Sequence, residues 1–138
     1  VAFGLKMQGV GQAERLKRAV LDGIEEEKLC ERAETIGAMM RERLGEMARR
    51  NSFNAIGDVR GLGAMVAFEL VKDRTTREPD AALAGALVAK AQEKGLILLT
   101  CGPDGNIIRL LAPLTTPQEQ VSEGLDILEE ALAEAVGA

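Results

Sequence analysis

From Gln12 to Arg50 the apolar positions fall at Leu16, Val20, Ile24, Leu29, Ala33, Ile36, Met40, Leu44 and Met47, mostly three or four apart. That spacing is the stripe of an amphipathic helix. Glu25-Glu26-Glu27 interrupts it, Gly23 weakens a helix interior, and an acidic run suits a helix's first turn, so the pattern predicts two helices with a break between Asp22 and Lys28. A polar loop, Asn51 to Asn54, ends the second. Beyond Ile56 the period changes. Gly57-Asp58-Val59-Arg60-Gly61-Leu62-Gly63 reads as turn-rich, and Ala64 to Leu70 is a short apolar run suited to a strand. Lys72 to Pro79 reads as an exposed loop. Leu83, Leu87, Val88 and Ala91 mark one face of a further helix that Asp80 caps and Gly95 ends. Two β runs follow, Leu96 to Thr100 and Asn106 to Leu111, joined by a turn at Pro103-Asp104-Gly105. Pro113 and Pro117 bracket a loop, and Val121, Leu125, Leu128, Leu132 and Val136 line a last helix.

This order predicts an α+β fold: a small, mainly antiparallel sheet of about three to four strands packed on helices. At 138 residues the chain fits one domain, by the prior of roughly 100–200 residues each. We place that domain at 12–138 and leave 1–11 unassigned. The segment from Val1 to Lys6 has no signal-peptide pattern and no initiator Met, and resembles an excised or processed end. Hydrophobic residues at 46% and charged residues at 28% match a folded soluble domain, and no apolar run approaches the roughly 20 residues of a membrane span.

Charge and residue types narrow the chemistry. Seventeen Lys and Arg against 22 Asp and Glu give a net charge of −5, with no basic block for a phosphate backbone. Aromatics are 2%, all Phe, so the platforms on which single-stranded bases stack are scarce. Neither nucleic acid nor a membrane is an expected partner. The absence of histidine excludes Ser-His-Asp and Cys-His catalysis and His-based metal sites. Cys30 and Cys101 are too few and too dispersed for a disulfide scaffold or a zinc ribbon, and reduced thiols in the cytoplasm are the default. Cys101 has no His to activate it and reads as packing. Lys6, Lys17, Lys28, Lys72, Lys90 and Lys94 lie in polar or amphipathic settings, whereas a Schiff-base lysine needs a lowered pKa.

Two segments invite a sharper reading. Gly61-Leu62-Gly63 superficially suggests a phosphate loop, but such a fingerprint opens a helix, and here a strand follows. A tight turn with close backbone approach is the simpler account. Arg109 stands inside Ile107-Ile108-Arg109-Leu110-Leu111, where every neighbour is apolar. A guanidinium stays charged and matches a carboxylate with two parallel hydrogen bonds, so Arg109 either holds a substrate carboxylate or points to the sheet's open face and pairs loosely with Glu69 or water.

Ile56 to Met65, Lys94 to Gly102 and Asn106 to Thr115, taken in this order and spacing, resemble the C-terminal part of class III pyridoxal-phosphate aminotransferases, in particular their 4-aminobutyrate branch. The resemblance runs from about Ala19 to the C-terminus. It implies the small domain that closes over an active site held mainly by a large domain. It also implies that Arg109, in the Asn-x-x-Arg block, binds the substrate's α-carboxylate. The family's catalytic lysine, its aspartate for the pyridine nitrogen and its phosphate loop belong to the large domain and have no match here. Pyridoxal phosphate is therefore a cofactor of the parent family with none expected on this chain alone, and the chain alone is expected to be inactive. Gly11 to Arg18 departs from the family's Gly-Asn-Pro entry and small apolar first turn, and its charges would solubilise a surface the parent buries. The expected partner is the large domain of the parent enzyme, with a homo-oligomer possible. Other readings are a stand-alone interaction module derived from that domain and a carboxylate-binding protein without catalysis.

Overall fold

The stripe read between Gln12 and Arg50 folds as two helices in the computed structural model, which describes residues 11–137. The unassigned segment, 1–11, lies outside the described residues save for Gly11. Helix α1 spans Gln12–Glu26 and α2 spans Leu29–Arg49. The break falls at Lys28, whose φ of 50° is left-handed, and Gly23 stays inside α1. The helices differ in what they bury. Helix α2 buries Ile36, Gly37, Met40, Leu44 and Met47, whereas α1 buries nothing and leaves Leu16, Val20 and Leu21 exposed.

The strands are β1 (Ile56–Leu62), β2 (Met65–Asp73), β3 (Glu78–Pro79), β4 (Thr100–Cys101) and β5 (Ile107–Leu111), with α3 at Ala81–Glu93 and α4 at Gln118–Val136. The sheet runs β1-β2-β5-β4 with β3 beside β2, and every pairing is antiparallel. This is the α+β class that the residue pattern predicts. It holds five strands rather than three to four.

Three local readings need correction. Gly57 to Gly63 is not a turn over most of its length but β1. Gly57 and Gly61 serve close packing: a Cβ at Gly57 would meet Val71 Cγ1 at 2.8 Å, and one at Gly61 would meet the Met65 carbonyl oxygen at 2.6 Å. The turn between β1 and β2 is Gly63-Ala64, with Gly63 at φ 53°, which is the close-approach reading of Gly61-Leu62-Gly63. The run Leu96 to Thr100 is a strand only at its end, because β4 begins at Thr100. Its alternation is satisfied by side-chain burial alone: Leu98 is buried while Ile97 and Leu99 are exposed, and the backbone leaves β5 before reaching them. Finally, Lys72 to Pro79 is exposed, yet β2 runs on to Asp73 and β3 pairs back onto it. Asp73 Oδ1 accepts from the Thr75 and Thr76 amides, both at 2.8 Å, and holds the return.

One face of the sheet forms the core. Val66, Phe68 and Leu70 of β2 and Ile108 of β5 pack with α2, α3 and α4, following the period of two that puts alternate residues on one side. Asp80 caps α3 by accepting from Leu83 N at 2.9 Å. Arg74 ties α2 to the sheet by donating to the carbonyls of Ala48, Phe53 and Ile56, which answers backbone acceptors left open at a helix end.

Helices α2 and α4 are joined by charge. Glu129 receives Arg50 Nη1 at 2.6 Å and Arg43 Nη2 at 2.8 Å. The Arg50 hydrogen bond, opposed by desolvation and aided by Arg43, holds the Glu129 carboxyl below the usual range. A lowered folded-state pKa contributes stability above the ordinary glutamate value and loses it as pH falls through the lowered one. Glu129→Gln should therefore lower the melting temperature at neutral pH, and the gap from the parent should narrow in acid. Thermal scans across that window check it; a gap that does not change with pH would show that the pair is not coupled to folding.

Candidate functional site

Antiparallel register sets out the sheet's other face row by row, since residues directly opposite share a face. Leu62, Met65 and Leu111 form one row, Arg60, Ala67 and Arg109 the next, and Asp58, Glu69 and Ile107 a third. Cys101 joins the third row through β4. The two arginines thus flank Ala67 at two strand spacings, roughly 10 Å apart at Cα.

They differ in their company. Arg60 Nη1 lies 2.6 Å from Asp58 Oδ2 and 2.7 Å from Glu69 Oε1. The hydrogen bonds it donates to Asp58 and then to Glu69 raise its pKa above the ordinary arginine value. Arg109 is exposed, and among the described residues no carboxylate forms an ion pair with it. The structure bears on the second expectation for Arg109 alone: it stands on the open face, but Glu69 belongs to Arg60. The sequence signal for this was the period of two in Asp58-Val59-Arg60, hidden while that stretch read as a turn.

Arg109 also stands on the wall of a cavity of about 620 Å³, together with Leu98, Leu99, Leu110, Val121 and Leu125. It is the one charged residue among the described lining residues. The volume falls in the range of roughly 300–1,000 Å³ typical of small-molecule sites. The opposite wall comes from the 96–101 segment and α4, far away in sequence, so no local motif announced it. Arg32 of α2 steadies the loop after β5 by donating to the Leu114 and Thr116 carbonyls. Cys101 lines the cavity too, half-buried, and both cysteines are free thiols.

Lys94 and Lys72 are poorly suited to forming an imine with an aldehyde cofactor. Glu134, helped by Glu130, pushes the Lys94 ammonium up, and Glu78 does the same to Lys72. Lys90 pairs with Glu93 and Lys28 with Glu31, and Lys17 lies exposed on α1. An imine-forming lysine must be a neutral amine. Among the described residues no cluster of His, Cys, Asp or Glu is placed to hold a metal, and no helix is long and apolar enough to cross a membrane.

The family model Aminotransferase class-III matches residues 11–132, which starts before the Ala19 limit of the motif resemblance. A probable 4-aminobutyrate aminotransferase of Bacillus subtilis is 52% identical over 114 residues, covering 83% of this chain and 26% of that protein. A 4-aminobutyrate aminotransferase of Escherichia coli is 44% identical over 116 residues, covering 84% and 27%. The crystal structure of a Bacillus anthracis aminotransferase superposes with a TM-score of 0.75 at 33% identity, covering 87% of this chain and 27% of that one. The chain thus spans about a quarter of the length of the curated relatives it matches.

Proposed function

The chain belongs to the class-III aminotransferase family, and on that premise we propose that residues 12–138 act as the small domain of an ω-amino acid:2-oxoglutarate transaminase of the 4-aminobutyrate type, with Arg109 receiving the substrate carboxylate. One observation carries the reading: Arg109 is the sole charged residue on the described cavity wall and has no carboxylate partner among the described residues. A guanidinium left without an ion-pair partner is available to an incoming carboxylate, which it can meet with two parallel hydrogen bonds. The wall itself suits the methylene chain of an ω-amino acid. Arg60, occupied by Asp58 and Glu69, leaves the incoming anion to Arg109. Pyridoxal phosphate supplies the electron sink in this family. Its anchor belongs to the large domain in this reading, and the chain alone orients substrate without turning it over.

The test has a catalytic and a binding arm. Purified chain with pyridoxal phosphate, 4-aminobutyrate and 2-oxoglutarate should form no glutamate, and borohydride should fix no pyridoxyl group on a single lysine. A specific reduced adduct with turnover would overturn the reading. By calorimetry Arg109→Gln should weaken 2-oxoglutarate binding about tenfold or more, the scale of a charged hydrogen bond. An unmutated chain that binds no dicarboxylate disposes of the arginine's role.

A second reading is a stand-alone interaction module, favoured by the apolar row left bare on the open face, Leu62, Met65 and Leu111, of which Leu62 is 81% exposed. Contiguous patches of this kind mark interfaces. Light scattering across a concentration series separates the two, because a species that stays monomeric at high concentration argues against self-association.

A further inference from the structure

We infer that Asn106 is a positioning residue: its side chain fixes the register of β5 on β2 and thereby the place of Arg109 on the open face. This rests on the reading of Arg109 as the carboxylate receiver. The register Glu69 to Ile107 places Leu70 opposite Asn106. Leu70 N donates to the Asn106 carbonyl at 2.9 Å. In a regular antiparallel pair the Asn106 amide N–H would return that bond to the Leu70 carbonyl. Here the side chain returns it: Asn106 Nδ2 donates to the Leu70 oxygen at 2.9 Å. The chain has just left the turn that ends at Gly105, φ 66°, and the side-chain amide stands in for the backbone donor. Asn106 is the buried polar residue of the described core, 5% exposed.

The apolar pattern cannot set this register unaided. A slip of one residue is excluded because it would turn Arg109 toward the core row of Phe68. A slip of two keeps every face, and Ile107-Ile108-Arg109-Leu110-Leu111 offers apolar side chains for either placement. Such a slip moves Arg109 by about 7 Å, opposite Met65 one way and opposite Glu69 the other. Beside Glu69 its charge would be taken by the protein's own carboxylate. Hydrophobic alternation therefore chooses the face, and the Asn106 amide chooses the step.

The test uses the full 138-residue chain by NMR, with glutarate as probe and the Arg109 Nε–Hε resonance as reporter, assigned by its loss in Arg109→Gln. Ala67 and Arg109 form a non-hydrogen-bonded pair, so their Hα protons should show a strong contact. Asn106→Asp keeps the shape and removes the donor. It should weaken or abolish the Ala67–Arg109 contact and raise the glutarate midpoint about tenfold or more. Leu132→Ala, a core change away from β5, should lower stability and leave both readouts in place. If Asn106→Asp behaves like Leu132→Ala, Asn106 serves stability alone and the inference is wrong. Should the variant not fold, the unmutated chain decides: slow exchange of the Asn106 Nδ2 protons with coupling to the Leu70 carbonyl upholds the bond, and fast exchange overturns it. If glutarate shifts nothing in the unmutated chain, the carboxylate reading fails, and the Ala67–Arg109 contact in Asn106→Asp still judges the register.

Discussion

Replacing Gly37 by alanine is expected to destabilise the protein by about 3 kcal/mol, the upper range for forcing one extra methyl into a packed site. Alanine elsewhere in a helix interior is worth roughly 1 kcal/mol over glycine, so the sign itself is diagnostic. A Cβ at Gly37 would lie 1.8 Å from the Gly63 carbonyl oxygen and 2.5 Å from its carbon. Those atoms are backbone and cannot rotate aside. The same carbonyl accepts from Arg41 Nη1 at 3.1 Å, and Gly63 carries the positive φ of the β1–β2 turn. The methyl must therefore lift the hairpin from α2 or push α2 from the sheet. Gly45, in the same helix, has nothing within 4 Å of its Cβ position, and Gly45→Ala should stabilise by about 0.5–1 kcal/mol. Urea midpoints for the two variants test the seating of α2; a gain at both would mean that the helix does not rest on the turn.

Phe68→Ala should cost about 3–5 kcal/mol, the usual range for a large aromatic cut out of a core. Phe68 is fully buried and is the largest such side chain among the described residues. Its row joins Val59 of β1 to Ile108 of β5, so the void would open where three strands meet the helices. Against a total stability of about 5–15 kcal/mol for a domain, that loss is roughly a fifth or more. Phe68→Leu keeps most of the volume and should lose about 1.5 kcal/mol or less. Urea unfolding with an unchanged slope would assign both effects to the native state. A Phe68→Ala variant within about 1 kcal/mol of the parent would show that the void collapses without cost, contrary to close packing.

The candidate site was legible in the sequence at one point, Arg109, because a cation among four apolar neighbours contradicts its surroundings. Its freedom was not legible. Glu69 was an equally good partner by sequence, and the structure gives Glu69 to Arg60 because both stand on one face of adjacent strands. The cavity wall was invisible for the same reason, since Leu98 and Val121 come to line one cavity with Arg109 through folding rather than through spacing.

Local periodicity determined the helices, the break before Leu29, the Asp80 cap and the α+β class, because each depends on a few consecutive side chains and the backbone they prefer. The tertiary structure decided what Gly57 and Gly61 are for, how far the Leu96 run pairs, and which of two arginines keeps its charge available. Those outcomes depend on which strand lies alongside and in what step, and the local pattern specifies neither the partner strand nor its register.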